Sequence, residues 1–263
     1  MDKITMVDLD GVVLNKRYET TGDICNIANK LSEVSYIVPN SDTPVERLAT
    51  FFEQSIGVSS DIVIGENGAV IKYFDNIDFT HKDIDISQYI HEMKRVFSKF
   101  DCCILECDAP ILVREHKGLQ PNTKFILIDK FRRMSISMFF LITDGEGKLY
   151  IDEKWSGQCL TSLLLCDKPQ ALGDFVYNHK YGIAISSIAI VSKTSGYLFL
   201  KQKYPNAQFF MIGDSDMDII NDHDVIHLAV NNASQELKNR SLFVSDYKHT
   251  IGLGYCFRWI LEQ

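Results

Sequence analysis

The chain has 263 residues, 46% hydrophobic and 24% charged, a composition that excludes a disordered or fibrous protein. Its 27 basic and 35 acidic side chains leave a net charge of -8, which disfavours sequence-independent binding to nucleic acid. No apolar run reaches the roughly 18 residues of a membrane helix. The first residues lack the basic and apolar blocks of a signal peptide, so no membrane partner is expected. Seven irregularly spaced cysteines fit a reducing, cytoplasmic compartment better than a disulfide framework.

The first third alternates strand and helix. Lys3 to Leu9 is an apolar run ending in acidic residues and reads as a buried strand. A helix is predicted over Asp23–Leu31 and a second strand over Val34–Val38, stopped by Pro39 and Asn40. Pro44 suits the first turn of a helix running to about Gln54. Ile62-Val63-Ile64 reads as a third strand, followed by the turn residues Gly65, Asn67 and Gly68. The middle has a different rhythm. A helix is predicted over Ser87–Phe100, with β-rich runs at Cys102–Leu105, Ile111–Arg114, Ser135–Ile142 and Leu163–Cys166. Another helix is predicted over Lys168–His179. The last third resumes the alternation. Ile183–Val191, Gln208–Ile212 and Ile226–Val230 read as strands, and Thr194–Tyr204 and Asn232–Asn239 as helices. Phe257–Leu261 suits a C-terminal helix docked on the core.

This order predicts an α/β protein with a doubly wound, Rossmann-like parallel sheet and helices on both faces. At roughly 100–200 residues per domain, the length suits one core plus an insert. The expected core is 1–74 with 179–263, and the expected insert is an α+β module over 75–178.

Two acidic clusters follow buried strands. Asp8-Leu9-Asp10-Gly11 places two carboxylates at a strand's C-terminal end, where open α/β sheets bind ligands. Gly213-Asp214-Ser215-Asp216-Met217-Asp218 repeats the pattern late in the chain. The plain alternatives are a solvated turn and an acidic helix cap. Taken together, the clusters form an oxygen-rich pocket of the kind that holds Mg²⁺.

These motifs resemble those of the haloacid dehalogenase superfamily of aspartate-nucleophile phosphatases, and in particular its Cof-type branch with an inserted α/β cap. Asp8-Leu9-Asp10-Gly11 matches the family's first motif, and Gly213-Asp214 with Asp218 the fourth. Glu66-Asn67-Gly68-Ala69-Val70-Ile71 resembles the segment before the cap. Lys193 sits before a helix as the third-motif lysine does, and Asn232-Ala233 resembles a late Asn-Ala turn. The resemblance implies Asp8 as nucleophile and Asp10 as general acid and base. It implies Lys193 as the phosphoryl-neutralising cation. Mg²⁺ would lie on Asp8, Asp214 and the Asp10 backbone carbonyl, with Asp218 reaching it through water or orienting its shell. Ser41 stands where the second motif needs a hydroxyl, with Asn40 and Thr43 as alternatives. Asp42, Asn67, Asn232 and Arg132 are the candidate substrate contacts.

Three positions depart from the family pattern. Ser41-Asp42-Thr43 replaces Thr-Gly-Arg, Val12 replaces a threonine, and Met217 replaces an asparagine. None removes the nucleophile, the acid or the metal ligands. The implied activity is Mg²⁺-dependent hydrolysis of a small phosphomonoester such as a sugar phosphate. A phosphomannomutase-type transfer, a phosphotyrosine phosphatase and a non-catalytic binding module are the competing readings. Arg114, Arg132 and Arg133 are the only obvious cap arginines besides Arg95 on a predicted solvent face, which disfavours the mutase, and a bulky cap disfavours a protein substrate.

Weaker signals have plain explanations. His223 and His227 read as loop and strand residues rather than a zinc pair, and Cys102, Cys103, Cys107, Cys159 and Cys166 as packing. Phe139-Phe140 and Trp155 read as core, and Lys94-Arg95 as a solvent face. No nucleotide-binding glycine loop, dinucleotide fingerprint or nucleophile elbow occurs.

Overall fold

The computed structural model describes residues 2–81, 85–115 and 119–263. The chain divides into two compact units, Met1–His81 with Val191–Gln263, and Lys82–Ile190. The division therefore falls at 81/82 and 190/191, where the sequence suggests 74/75 and 178/179.

The first unit opens with β1 (Lys3–Val7), α1 (Cys25–Ser32), β2 (Ser35–Pro39), α2 (Val45–Ile56), β3 (Ile62–Gly65), β4 (Val70–Tyr73) and β5 (Asn76–Phe79). The second unit holds α3 (Ser87–Phe97), β6 (Cys103–Cys107), α4 (Ala109–Glu115), β7 (Lys124–Asp129), β8 (Ser135–Thr143), β9 (Leu149–Tyr150), α5 (Glu153–Leu163), β10 (Val176–Asn178) and β11 (Ile183–Ser187). The chain then returns to the first unit with α6 (Lys193–Lys203), β12 (Gln208–Gly213), β13 (Val225–Ala229), α7 (Gln235–Arg240), β14 (Phe243–Val244) and α8 (His249–Leu261).

The first unit is built on a five-stranded sheet of order β14-β13-β12-β1-β2, and every pairing in it is parallel. Strands covered on both faces lose the in–out alternation of a half-wet sheet. That is why Ile4, Thr5, Met6 and Val7 are all buried. Ile4 and Met6 of β1, Phe209 and Met211 of β12, and Val38 of β2 form one face. Tyr197 and Leu200, three apart on α6, pack onto it. On β1 the order reverses, with β2 on one side and the late strand β12 on the other. A crevice opens at such a reversal, beyond the strands' carboxyl ends. Asp8 follows β1, Asn40 follows β2 and Asp214 follows β12, so all three emerge there.

β3 meets the parallel sheet through a single bridge, Asn40 to Ile64, and otherwise pairs antiparallel with β4, which pairs with β5. The sequence reading takes β3 as a parallel core strand and leaves β4 and β5 unread. The turn that reverses the chain carries three successive left-handed residues, Glu66, Asn67 and Gly68, with φ of 50, 58 and 97°.

The second unit is an α+β sheet of order β10-β11-β8-β7-β6, with β9 on β8. Four expectations fail here. Ile111–Arg114 is helical within α4, because Pro110 occupies a helix's first turn and Leu112 N–H bonds Asp108 O at 3.0 Å. Leu163–Cys166 is the end of α5 and the turn after it; Asp152 caps that helix through Trp155 N–H at 2.7 Å. Lys168–His179 contains no helix, since Pro169 and Gly173 interrupt it and Val176–Asn178 pairs as β10. Ile183–Ser187 pairs antiparallel with β8, so this strand belongs to the second unit and not to the parallel core. The buried strand β7 also escapes the sequence reading. No helix among the described residues is long and apolar enough to cross a membrane.

Candidate active site

The carboxyl edge of β1 and β12 brings the two acidic clusters together. Asp8, Asp214 and Asp218 each place a carboxylate oxygen within 4.8 Å of the other two. Asp8 is anchored by its backbone, whose N–H bonds Ile212 O at 3.0 Å. Lys193, the first residue of α6, inserts its ammonium between Asp8 and Asp218. It donates to Asp8 Oδ1 at 2.6 Å and to Asp218 Oδ1 by a still shorter bond. A cation in the first turn opposes the helix dipole, so this lysine is placed for the carboxylates and against the local preference of the helix.

Asp218 is wholly buried, and both of its oxygens are engaged. Its Oδ2 accepts from Asp214 N–H and Ser215 N–H, each at 2.9 Å, and from Ser215 Oγ at 3.1 Å. This wraps the turn after β12 around the carboxylate and fixes the direction of Asp214. In this geometry Asp218 ties the Lys193 ammonium to the turn that carries Asp214.

Burial pushes the Asp8 carboxyl up to about 8, a rise that Lys193 opposes and Asp218 reinforces. Asp214 is raised to about 6, first by burial and then by Asp218, against the pull of Lys193, His249 and Asn232. Burial draws the Lys193 ammonium down, but Asp8 and Asp218 together outweigh it and hold its pKa above the ordinary lysine value. Asp10 is exposed on its outer side yet crowded by surrounding protein. Loss of hydration raises its carboxyl, with Lys193 opposing and Asp42 reinforcing. One lysine thus faces a set of carboxylates that it does not balance.

That imbalance is the test for a metal. The donors are hard carboxylate oxygens, they converge, and Lys193 supplies less positive charge than they call for, which fits Mg²⁺. Gly11 completes the fit. It has φ of 87°, and a Cβ there would lie 2.0 Å from Asp214 Oδ2, so only glycine lets the loop after β1 approach this carboxylate.

The remaining sequence candidates separate. Ser41 is buried on the loop after β2; its N–H bonds Ile64 O at 3.0 Å, and its hydroxyl accepts weakly from Thr43 N–H at 3.4 Å. Asn40 donates to the Lys193 carbonyl at 3.4 Å and helps seat the start of α6. Asp42 and Asn67 engage one another, Asn67 Nδ2 donating to Asp42 Oδ1 at 3.1 Å. Gly68 lets the same turn approach α6, since a Cβ there would lie 2.5 Å from Ser192 O. Asn232 is used inside the protein. Its Nδ2 donates to Gly11 O at 2.9 Å and to Asp214 Oδ2 at 3.2 Å, so it supports a carboxylate and does not stand free for substrate. Arg132 belongs to the second unit, where it donates to Ser135 Oγ at 2.9 Å and faces Asp129. The sequence reading misses His249, which bonds Gly11 O from 238 residues away, a separation that leaves no local signal. His223 lies exposed between Asp222 and Asp224, and His227 Nε2 accepts from Ile220 N–H at 3.0 Å, so the two do not form a metal pair.

A parallel α/β sheet with carboxylates and a buried lysine at its switch point defines a Rossmann-like enzyme core. The chain belongs to the haloacid dehalogenase-like hydrolase family, whose pattern matches residues 5–257. Solved structures share the fold along nearly the whole chain. A Thermotoga maritima protein, TM0651, is 15% identical with a TM-score of 0.66, over 98% of this chain and 97% of that one. Protein 0175 of Thermoplasma acidophilum is 15% identical with a TM-score of 0.65, over 100% of both chains. BT1666 of Bacteroides thetaiotaomicron, described among phosphatases of the superfamily, is 17% identical with a TM-score of 0.59, over 100% of this chain and 95% of that one. No curated protein matches the sequence significantly.

Proposed function

We propose that the protein is a Mg²⁺-dependent phosphomonoester hydrolase that works through an aspartyl-phosphate on Asp8, with a small phosphorylated metabolite as substrate. The observation that carries this reading is a buried Asp8 carboxylate gripped by Lys193 at 2.6 Å, with Asp214 beside it and Asp10 two residues on. The phosphatase described for BT1666, and a structural neighbour related to trehalose-6-phosphate phosphatase, support the choice of phosphoryl ester among the family's substrates.

The reaction divides between named groups. An Asp8 oxygen attacks phosphorus, and the bond to the ester oxygen breaks. Asp10 gives its proton to the departing alkoxide, a role that suits a carboxyl whose pKa is raised. Asp10 then takes a proton from water, the water oxygen attacks phosphorus, and Asp8 and inorganic phosphate are released. Lys193 pulls the Asp8 carboxyl toward its anionic form against the effect of burial, and faces the negative charge that gathers on the phosphoryl oxygens. Asp8, Asp214 and the Asp10 carbonyl would hold the metal, and Asp218 keeps Lys193 and Asp214 in place. When bound, Mg²⁺ supplies the positive charge that Lys193 alone does not, favouring ionised Asp8 and a neutralised phosphate.

Hydrolysis of p-nitrophenyl phosphate by the purified chain, with Mg²⁺ and with EDTA, tests the proposal beside Asp8→Asn. The expected result is turnover that needs both Mg²⁺ and Asp8, with a fluoroberyllate adduct on the native aspartate. Turnover that survives Asp8→Asn overturns the nucleophile assignment.

A further inference from the structure

The N-terminus of α8 reaches back to the loop after β1. His249 Nδ1 lies 2.9 Å from Gly11 O, and Thr250 Oγ1 donates to Val13 O at 2.7 Å. A carbonyl oxygen only accepts, so His249 must carry its proton on Nδ1. The same residue donates its backbone N–H to Asn232 Oδ1 at 3.0 Å. That bond fixes which way the Asn232 amide points, and the amide's Nδ2 then reaches both Gly11 O and Asp214 Oδ2. His249 is half-buried and holds φ at 50°, a left-handed conformation that a non-glycine residue adopts only when its surroundings impose it.

We infer that His249 is a positioning residue for the metal-binding carboxylate of Asp214, acting through Asn232 and the Gly11 carbonyl. The His249 and Asn232 side chains both hold the Gly11 carbonyl. Gly11 packs where no Cβ fits beside Asp214, so a small shift of the loop moves the wall against which the carboxylate rests. Support of a ligand by outer hydrogen bonds ordinarily contributes about 10–100-fold to metal affinity. The inference rests on the metal reading proposed above and adds a residue that the motifs do not contain.

The test compares His249→Ala, His249→Asn and His249→Gln in the full chain. Asparagine can place an N–H where Nδ1 stands; glutamine's amide reaches the Nε2 position instead. The first readout is the Mg²⁺ concentration that half-saturates the rise in melting temperature. His249→Ala and His249→Gln are expected to raise it about 10–100-fold, and His249→Asn to restore it to within about threefold of the native chain. The second readout needs no metal: ¹⁵N correlation spectra of the imidazole are expected to show the Nδ1–H tautomer. If the native chain responds to Mg²⁺ and all three variants respond equally, the positioning role is overturned while the proposed function stands. If the native chain shows neither a Mg²⁺ response nor hydrolysis, the metal reading falls and takes the effect assigned to His249 with it. An Nε2–H tautomer overturns the hydrogen bond in either case.

Discussion

Gly11→Ala is the most direct probe of how the two acidic turns fit. Gly11 sits at φ of 87°, and a Cβ added there would lie 2.0 Å from Asp214 Oδ2 and 2.4 Å from its Cγ. Two costs follow. The left-handed backbone costs alanine about 1–2 kcal/mol relative to glycine. Moving a short carboxylate that Asn232 holds at 3.2 Å costs a further ~1–3 kcal/mol, the usual range for overpacking. The single variant should therefore lose about 2–5 kcal/mol, with the melting temperature falling by roughly 2–4 °C per kcal/mol for a unit of this size. Asp214→Ala removes the obstacle and leaves only the backbone cost. In that background Gly11→Ala should lose about 1–2 kcal/mol, so a double-mutant cycle should show a coupling of about 1–3 kcal/mol. Urea unfolding of the four proteins, followed by circular dichroism, measures it. A coupling below about 0.5 kcal/mol, within the usual additivity of independent sites, would refute the packing of Gly11 on Asp214. Gly11→Ala should also abolish the Mg²⁺-induced rise in melting temperature, because the displaced carboxylate is one of the proposed ligands.

Four further expectations concern the same unit. Lys193→Met leaves the buried Asp218 carboxylate without its cation, and breaking such a pair costs about 3–5 kcal/mol; an unchanged urea midpoint would show that the pair contributes nothing. Mg²⁺ must displace protons from Asp8 and Asp214, so its apparent affinity should weaken below about pH 8, and more steeply below about pH 6 as both carboxyls hold protons. The raised values have the opposite effect on metal-free stability: between about pH 4 and pH 8 the native chain keeps protons that the unfolded chain has lost, so these groups make stability fall as pH rises, and Asp214→Asn should flatten that slope. A pH-independent Mg²⁺ titration would contradict both statements. His227 must be neutral at Nε2 to accept from Ile220 N–H, and burial followed by the Arg240 charge lowers its pKa. Its contribution should be lost as pH falls below about 6.5, the unfolded value. His227→Leu should cost about 1–3 kcal/mol through the orphaned N–H, and an unaltered unfolding midpoint would discount the bond.

The parallel core was legible because burial on both faces writes itself into sequence. Lys3–Val7 and Gln208–Gly213 are continuous apolar runs, each followed at once by acidic residues and a glycine-bearing turn. The carboxylates Asp8, Asp10 and Asp214 stood out for the same reason, each following a buried strand, whereas Lys193 was marked only by its resemblance to the family's third-motif lysine. The second unit was harder. Its helices α4 and α5 are rich in β-branched, aromatic and leucine residues, and only Pro110 and the Asp152 cap announce them. Strand β11 reads as core because an isolated apolar run carries no mark of which sheet it joins; pairing with β8 decided that.

Residue types and local spacing determined which side chains carry charge into the cleft. Tertiary structure alone decided what those side chains do there. It turned Asn232 inward onto Gly11 and Asp214, paired Asp42 with Asn67, and set His249 against a carbonyl 238 residues away. It also buried Asp8 and Lys193 together, which sets the protonation of both. The physical reason is range: propensity and periodicity act within a few residues, whereas hydrogen bonds and desolvation act between whatever the folded chain brings into contact.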